Sequence, residues 1–181
     1  MKKTIYIALL IFPLWGLGGC NDDDDNCQGI DCLPPATQTG AGTFGCLVNG
    51  EPFVDNSGFF NCFYQLVDGE YFFNITANFN NKTPKLISLA TNSLEIESNA
   101  SYQLLTRDEN SFYAEVTFDN APPLFLNDNT TDTSNSGLVS ISLIDSEENI
   151  ISGTFNFQIR DTINDKIYTV TEGRFDSLFT Q

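Results

Sequence analysis

The sequence predicts an all-β protein, either an antiparallel β-sandwich or a partly closed, lipocalin-like barrel of about nine or ten strands. No major helix is expected after the N-terminal leader. Three observations predict this. From Thr43 onward apolar residues recur at every second position, the period of a strand with one buried face. Two dipeptides, Asn49-Gly50 and Asp68-Gly69, are the pair types that close two-residue hairpins. No segment repeats apolar residues at the three- and four-residue spacing of an amphipathic helix.

The elements follow in order. Phe44, Cys46 and Val48 share one face of a strand that runs into Asn49-Gly50. Asp68-Gly69 then fixes a second register, placing Leu66 opposite Tyr71, Tyr64 opposite Phe73 and Cys62 opposite Ile75. Tyr71, Phe73, Ile75, Ala77 and Phe79 form the apolar face of that hairpin, so Cys62 is expected to point inward. Residues 86–90 are a short apolar strand; 94–97 and 101–105 are weaker ones. Phe112, Ala114, Val116 and Phe118 oppose Tyr113, Glu115 and Thr117. Val139, Ile141 and Leu143 repeat the pattern, as do Phe155, Phe157 and Ile159. Residues 167–175 form the last long strand. Gly153 is expected where a side chain would clash with the sheet, and Gly173-Arg174-Phe175 reads as a bulge. Pro122-Pro123 and an Asn/Asp/Thr cluster make 121–137 a loop.

Composition narrows the chemistry. The 181 residues include 24 acidic and 8 basic side chains, a formal charge of −16, and no histidine. Trp15 and Met1 are single and lie in the leader. The absence of histidine excludes Ser-His-Asp and Cys-His nucleophile pairs and histidine-bearing zinc sites. An acidic chain does not neutralise phosphates, so nucleic acid is not an expected partner. The sequence does not reveal a molecular activity.

The N-terminus speaks about location. Lys2 and Lys3 precede an apolar run over residues 4–16, which is short for a bilayer span but suits an export signal. Leu17-Gly18-Gly19-Cys20 ends the run. It resembles the bacterial lipobox, with Gly18 where Ala or Ser is usual. The resemblance implies cleavage before Cys20, lipid attachment to its sulfur, and effectively permanent anchoring. Loss of residues 1–19 removes Lys2 and Lys3 and no acid, which takes the formal charge to −18. Asp22, Asp23, Asp24 and Asp25 follow the anchor. They resemble the acidic surface-export signal of Bacteroidota lipoproteins, and otherwise serve as a solvated, self-repelling tether. The expected organisation is a signal peptide (1–19), a lipid-anchored flexible tether (20–42) and a single β-domain (43–181). The expected location is the outer membrane, exposed at the cell surface.

Four cysteines remain: Cys27, Cys32, Cys46 and Cys62. An exported chain permits disulfides. Cys27 and Cys32 suit a small loop. Cys46 and Cys62, both inward and expected on neighbouring strands, suit a second bridge.

The last third carries a recognisable order of motifs: 137–145 (GLVSISLID), 151–157 (ISGTFNF) and 167–176 (IYTVTEGRFD), after an opening 44–50 (FGCLVNG) with Phe53. This resembles an uncharacterised family of Bacteroidota lipoproteins across about 43–179. The resemblance implies a β-rich exported domain and brings no catalytic residues.

Other chemistry is weaker. Glu95/Glu97 and Glu147/Glu148 read as solvated charge rather than a glycosidase pair. Asp128, Asn129, Asp132 and Asn135 offer a weak calcium candidate without the mid-loop glycine of an EF-hand. No cofactor is expected. Sixteen Phe and six Tyr are enough for a core or a ligand cavity. Sugar stacking is disfavoured without Trp, with surface Tyr113 and Phe72 as weak substitutes. The expected function is a non-enzymatic binding or interaction module with an unknown protein or small-molecule partner. The alternative is a lipocalin-like carrier of a small apolar ligand.

Overall fold

The structure, a computed structural model, describes residues 27–58, 60–79, 83–118 and 128–181. It is all-β. After a short 3₁₀ turn (Gly29–Cys32) come β1 (Thr43–Val48), β2 (Glu51–Val54), β3 (Asn61–Val67), β4 (Glu70–Asn78), β5 (Leu86–Asn92) and β6 (Ala100–Leu104). They are followed by β7 (Ser111–Thr117), β8 (Asp128–Thr130), β9 (Gly137–Asp145), β10 (Ile150–Asp161) and β11 (Lys166–Leu178). Among the described residues no helix is long and apolar enough to cross a membrane.

One strongly curled sheet contains all eleven strands of the described residues, in the order β2-β1-β11-β10-β9-β6-β7-β5-β4-β3, with β8 on the side of β7. The hairpin registers are those expected. Cys62 pairs with Ile75, Tyr64 with Phe73 and Leu66 with Tyr71. Both turn dipeptides hold positive φ at each residue, 51° and 87° at Asn49-Gly50 and 52° and 89° at Asp68-Gly69. That geometry matches the twist of the flanking strands.

The curl brings the two ends of the strand order together. Thr180 donates its amide to the Cys62 carbonyl and accepts from the Tyr64 amide, which adds a parallel bridge to β3. Asn56 donates to the Asn78 carbonyl, and Asn78 donates to Asp55 Oδ1 at 2.7 Å. The interior is filled by rings. Phe73 on β4 meets Phe112 on β7 at 5.7 Å and Phe175 on β11 at 6.4 Å, and Phe44 meets Phe155 at 5.1 Å. Such ring pairs add to the burial of apolar area, itself worth about 1.5–3 kcal/mol per side chain.

Several expectations are corrected. Cys46 and Cys62 are both buried inward but remain thiols. Cys46 lies on β1 and Cys62 on β3, and no ladder pairs these two strands. The Cys27–Cys32 bridge is formed. Residues 94–97 are not a strand. Ile96 is buried as an anchor, with its amide donating to the Tyr64 hydroxyl at 3.0 Å. The expected loop 121–137 contains β8. Thr131 holds it there, accepting from the Ala114 amide and donating to the Leu105 carbonyl. One pairing, β6 with β7, is parallel. Tyr113 is buried at 6 % exposure beneath the Arg107 guanidinium, not on the surface.

The largest difference concerns residues 33–41, expected in a free tether. They form a strap across the outer face of β1, β11 and β10. Leu33 is buried, and Pro34 lies where a Cβ on Gly45 would come within 2.6 Å of it. Asp176 holds the strap. Its carboxylate is fully buried and accepts from the Thr37 hydroxyl (2.6 Å), from the amides of Thr39 (2.9 Å), Gly40 (2.8 Å) and Ala41 (3.2 Å), and from the Ser152 hydroxyl (2.7 Å). Successive amides turned onto one anion form a nest.

Candidate binding site at the tyrosine end of the barrel

The lipobox-like Leu17, Gly18, Gly19 and Cys20, and the acidic Asp22 to Asp25, lie outside the described residues. Of the calcium candidates, Asp128 pairs through its backbone with Thr117 on β7. Asp132 Oδ1 accepts from the amides of Ser134 (2.7 Å) and Asn135 (2.6 Å), closing its own turn. The Asn135 amide contributes most to holding this carboxyl below its ordinary range, against a smaller effect of desolvation. Asn129 accepts from the amide and hydroxyl of Thr162, which ties β8 to the β10–β11 turn. Among the described residues no three His, Cys, Asp or Glu side chains gather as a metal site. Glu95 and Glu97 are exposed, and Glu147 and Glu148 sit in a turn whose amides cap Asp145 Oδ1.

The perturbed groups are structural. Burial works to raise the Asp176 carboxyl, but the hydrogen bonds from Thr37, Thr39, Ser152 and Gly40 outweigh it and leave the group well below the usual carboxylate range. Burial pushes the Cys62 thiol up to about 12, against a hydrogen bond with Ser177, and pushes Cys46 higher still. Neither cysteine has the lowered pKa of a nucleophile.

Two concave regions stand out. One, of about 570 Å³, lies on the outer face beside the strap, between Ala36, Thr154, Asn156 and Thr171–Arg174. The bulge lies at Thr171–Gly173, while Arg174 and Phe175, expected within it, pair in register: Thr171 and Glu172 together oppose Asn156 on one side, Glu172 and Gly173 oppose Cys46 on the other, and Glu172 takes φ 54°. Arg174 Nε donates to the Glu172 carbonyl, and its guanidinium pairs with the Glu172 carboxylate at 3.5 Å, so the two charges there satisfy each other.

The other lies at the end of the barrel where the β3–β4 hairpin tip, the β5–β6 loop, the β9–β10 turn and the residues after β11 converge. Its cleft, about 250 Å³, is lined by Tyr64, Leu66, Tyr71, Ser146, Phe179 and Gln181. Each lining group is placed by the sheet. The two-residue turn sets Tyr64 and Tyr71 on one face of the hairpin, where their rings stack at 5.1 Å with 16° between planes. Phe179 meets Tyr64 edge-on at 5.8 Å, held by its amide on the Asn149 carbonyl. Burial pushes the Tyr64 phenol up to about 12, opposed by the Ile96 hydrogen bond and assisted by nearby Glu95. Leu66 and Val67 are left 60 % and 48 % exposed.

Comparison with known proteins finds no matching family profile, no matching curated protein and no matching solved structure.

The charge around this end is one-sided. The hairpin tip carries Asp68 and Glu70, the β5–β6 loop Glu95 and Glu97, and the β9–β10 turn Asp145, Glu147 and Glu148. Residues 67–70, 93–99, 145–149 and 178–181 contain no Lys or Arg. Sequence reasoning missed this convergence, although it placed Tyr64, Leu66 and Tyr71 on one face. The visible signal was an apolar side chain, Leu66, next to a charged hairpin tip. What it lacked was the folding of the chain after β11 onto β3.

Proposed function

We propose that the chain is an exported lipoprotein, anchored through Cys20 to the outer membrane and displayed at the cell surface, whose β half-barrel is a non-enzymatic interaction module. The observation that carries the module reading is the contrast between a filled interior and the tyrosine end. Rings from β4, β7 and β11 meet across the core, which favours a module over a carrier of an apolar ligand. At the tyrosine end exposed apolar side chains and stacked rings gather inside an acidic rim, an arrangement suited to contact with a partner. The buried carboxylate of Asp176 is engaged by the strap and by Ser152 on β10, which supports a structural role for it. The lipobox and the acids behind it support the anchor and the address, and the likeness to uncharacterised Bacteroidota lipoproteins supports the same location.

Protease shaving of intact cells tests the display. Wild-type protein is expected to be lost from intact cells, while a variant carrying Asn at positions 22, 23, 24 and 25 is expected to be protected until the outer membrane is opened. Equal cleavage of both removes the export role of the acids, and protection of both removes surface display.

A further inference from the structure

We propose that the tyrosine end binds an extended, positively charged peptide segment, which pairs with the open edge of β3 and seats a cationic side chain in the Tyr64–Tyr71 cleft. This rests on the reading of that end as a contact face. Three independent features point to this occupant.

The first is the edge. β3 is the last strand in the sheet order. Because Val67 and Glu70 flank a two-residue turn, ladder alternation points the backbone groups of Cys62, Tyr64 and Leu66 away from β4. Thr180 takes the Cys62 carbonyl and the Tyr64 amide. Among the described residues no strand pairs beyond that point, at Leu66, and an added strand satisfies such an edge.

The second is the size of the cleft. About 250 Å³ lies below the range of cavities that enclose a whole small-molecule ligand, and is the scale of one long side chain. An added strand places alternate side chains on the cleft side of β3, next to Leu66 and Tyr64.

The third is charge. Seven acids and no bases occupy the four segments around the cleft. A cation with an apolar stem matches both layers: its stem lies along Leu66 and Phe179, and its head meets aromatic faces and carboxylates. Arginine suits this better than lysine because its planar head stacks on rings. Negative peptides are repelled by the same rim.

The experiment uses the purified full chain in detergent, titrated with three nine-residue peptides of alternating valine and a second residue, which is arginine, glutamine or glutamate. Calorimetry gives affinity, and amide NMR shifts give position. The arginine peptide is expected to bind with shifts at Leu66, Tyr71 and Phe179, more weakly at high salt, while the glutamate peptide does not bind. Glu95→Gln combined with Glu97→Gln, both exposed, is expected to weaken arginine-peptide binding about fivefold. Leu66→Pro, which removes the outward amide, is expected to abolish the shifts. Equal binding of all three peptides at this end overturns the cationic specificity but leaves the contact-face reading standing. Binding elsewhere, binding unchanged in both variants, or no binding overturns the proposal; display at the surface is decided separately by shaving.

Discussion

Asp176 is the residue on which the strap depends. A buried carboxylate is tolerated only where hydrogen bonds replace its water, and here six donors from Thr37, Thr39, Gly40, Ala41 and Ser152 do so, Thr39 giving both its amide and its hydroxyl. Asp176→Asn puts an N–H where an acceptor is needed and is expected to cost about 2–4 kcal/mol in urea unfolding. The pH dependence has a definite sign. The folded carboxyl titrates below its unfolded value of about 4, so the unfolded chain binds more protons in acid. The stabilisation is fully present above that value and is lost as pH falls toward the folded pKa. Because the other acids titrate in both proteins, the wild-type advantage over Asp176→Asn is expected to shrink below about pH 4; a constant difference contradicts the assignment. The cysteines give a second test at this scale. With Cys46 at 0 % and Cys62 at 6 % exposure and both thiols raised by burial, a disulfide reagent is expected to label neither in the native protein. On unfolding it should label both without prior reduction. Failure to label after unfolding indicates the bridge that the strand order argues against.

At the scale of elements, the two-residue turns explain why so much was legible. Asn49-Gly50 and Asp68-Gly69 fix register by themselves, and alternation then decides which side chains face inward, so the Cys62, Tyr64 and Leu66 pairings followed from local sequence. Gly153 was legible too: a Cβ there would lie 2.6 Å from the Ser140 carbonyl oxygen and 2.8 Å from the Phe175 ring. Gly153→Ala is therefore expected to cost about 1–3 kcal/mol through overpacking. Gly69→Ala meets open space and is expected to cost about 1 kcal/mol through its φ of 89° alone. Thermal unfolding ranks the two, and the reverse order contradicts the close approach of β9, β10 and β11. The elements that were not legible depend on partners remote in sequence. β8 is three residues long and exists because Thr131 and Asn129 reach β7 and the β10–β11 turn. The strap has the Pro, Thr and Gly composition of a linker, and its order comes from a carboxylate more than a hundred residues away.

For the whole molecule, the curl of one sheet does the organising. It fills the interior with rings, folds the residues after β11 onto β3, and collects the aromatic cleft and seven acids at one end. All-β class and inward faces could be read from period two; the end-to-end approach could not, because no local pattern encodes which distant strands meet. The strap adds a fixed point just before β1, so a lipid on Cys20 would hold the half-barrel through the short stretch that precedes the Cys27–Cys32 loop. Anchoring is the premise on which display and partner access both rest. Intact-mass and N-terminal peptide mass spectrometry of protein extracted from membranes tests it most directly. The expected product is a chain that begins at Cys20 and carries thioether-linked and amide-linked acyl groups. A chain that retains residues 1–19, or begins at an unmodified residue, contradicts it.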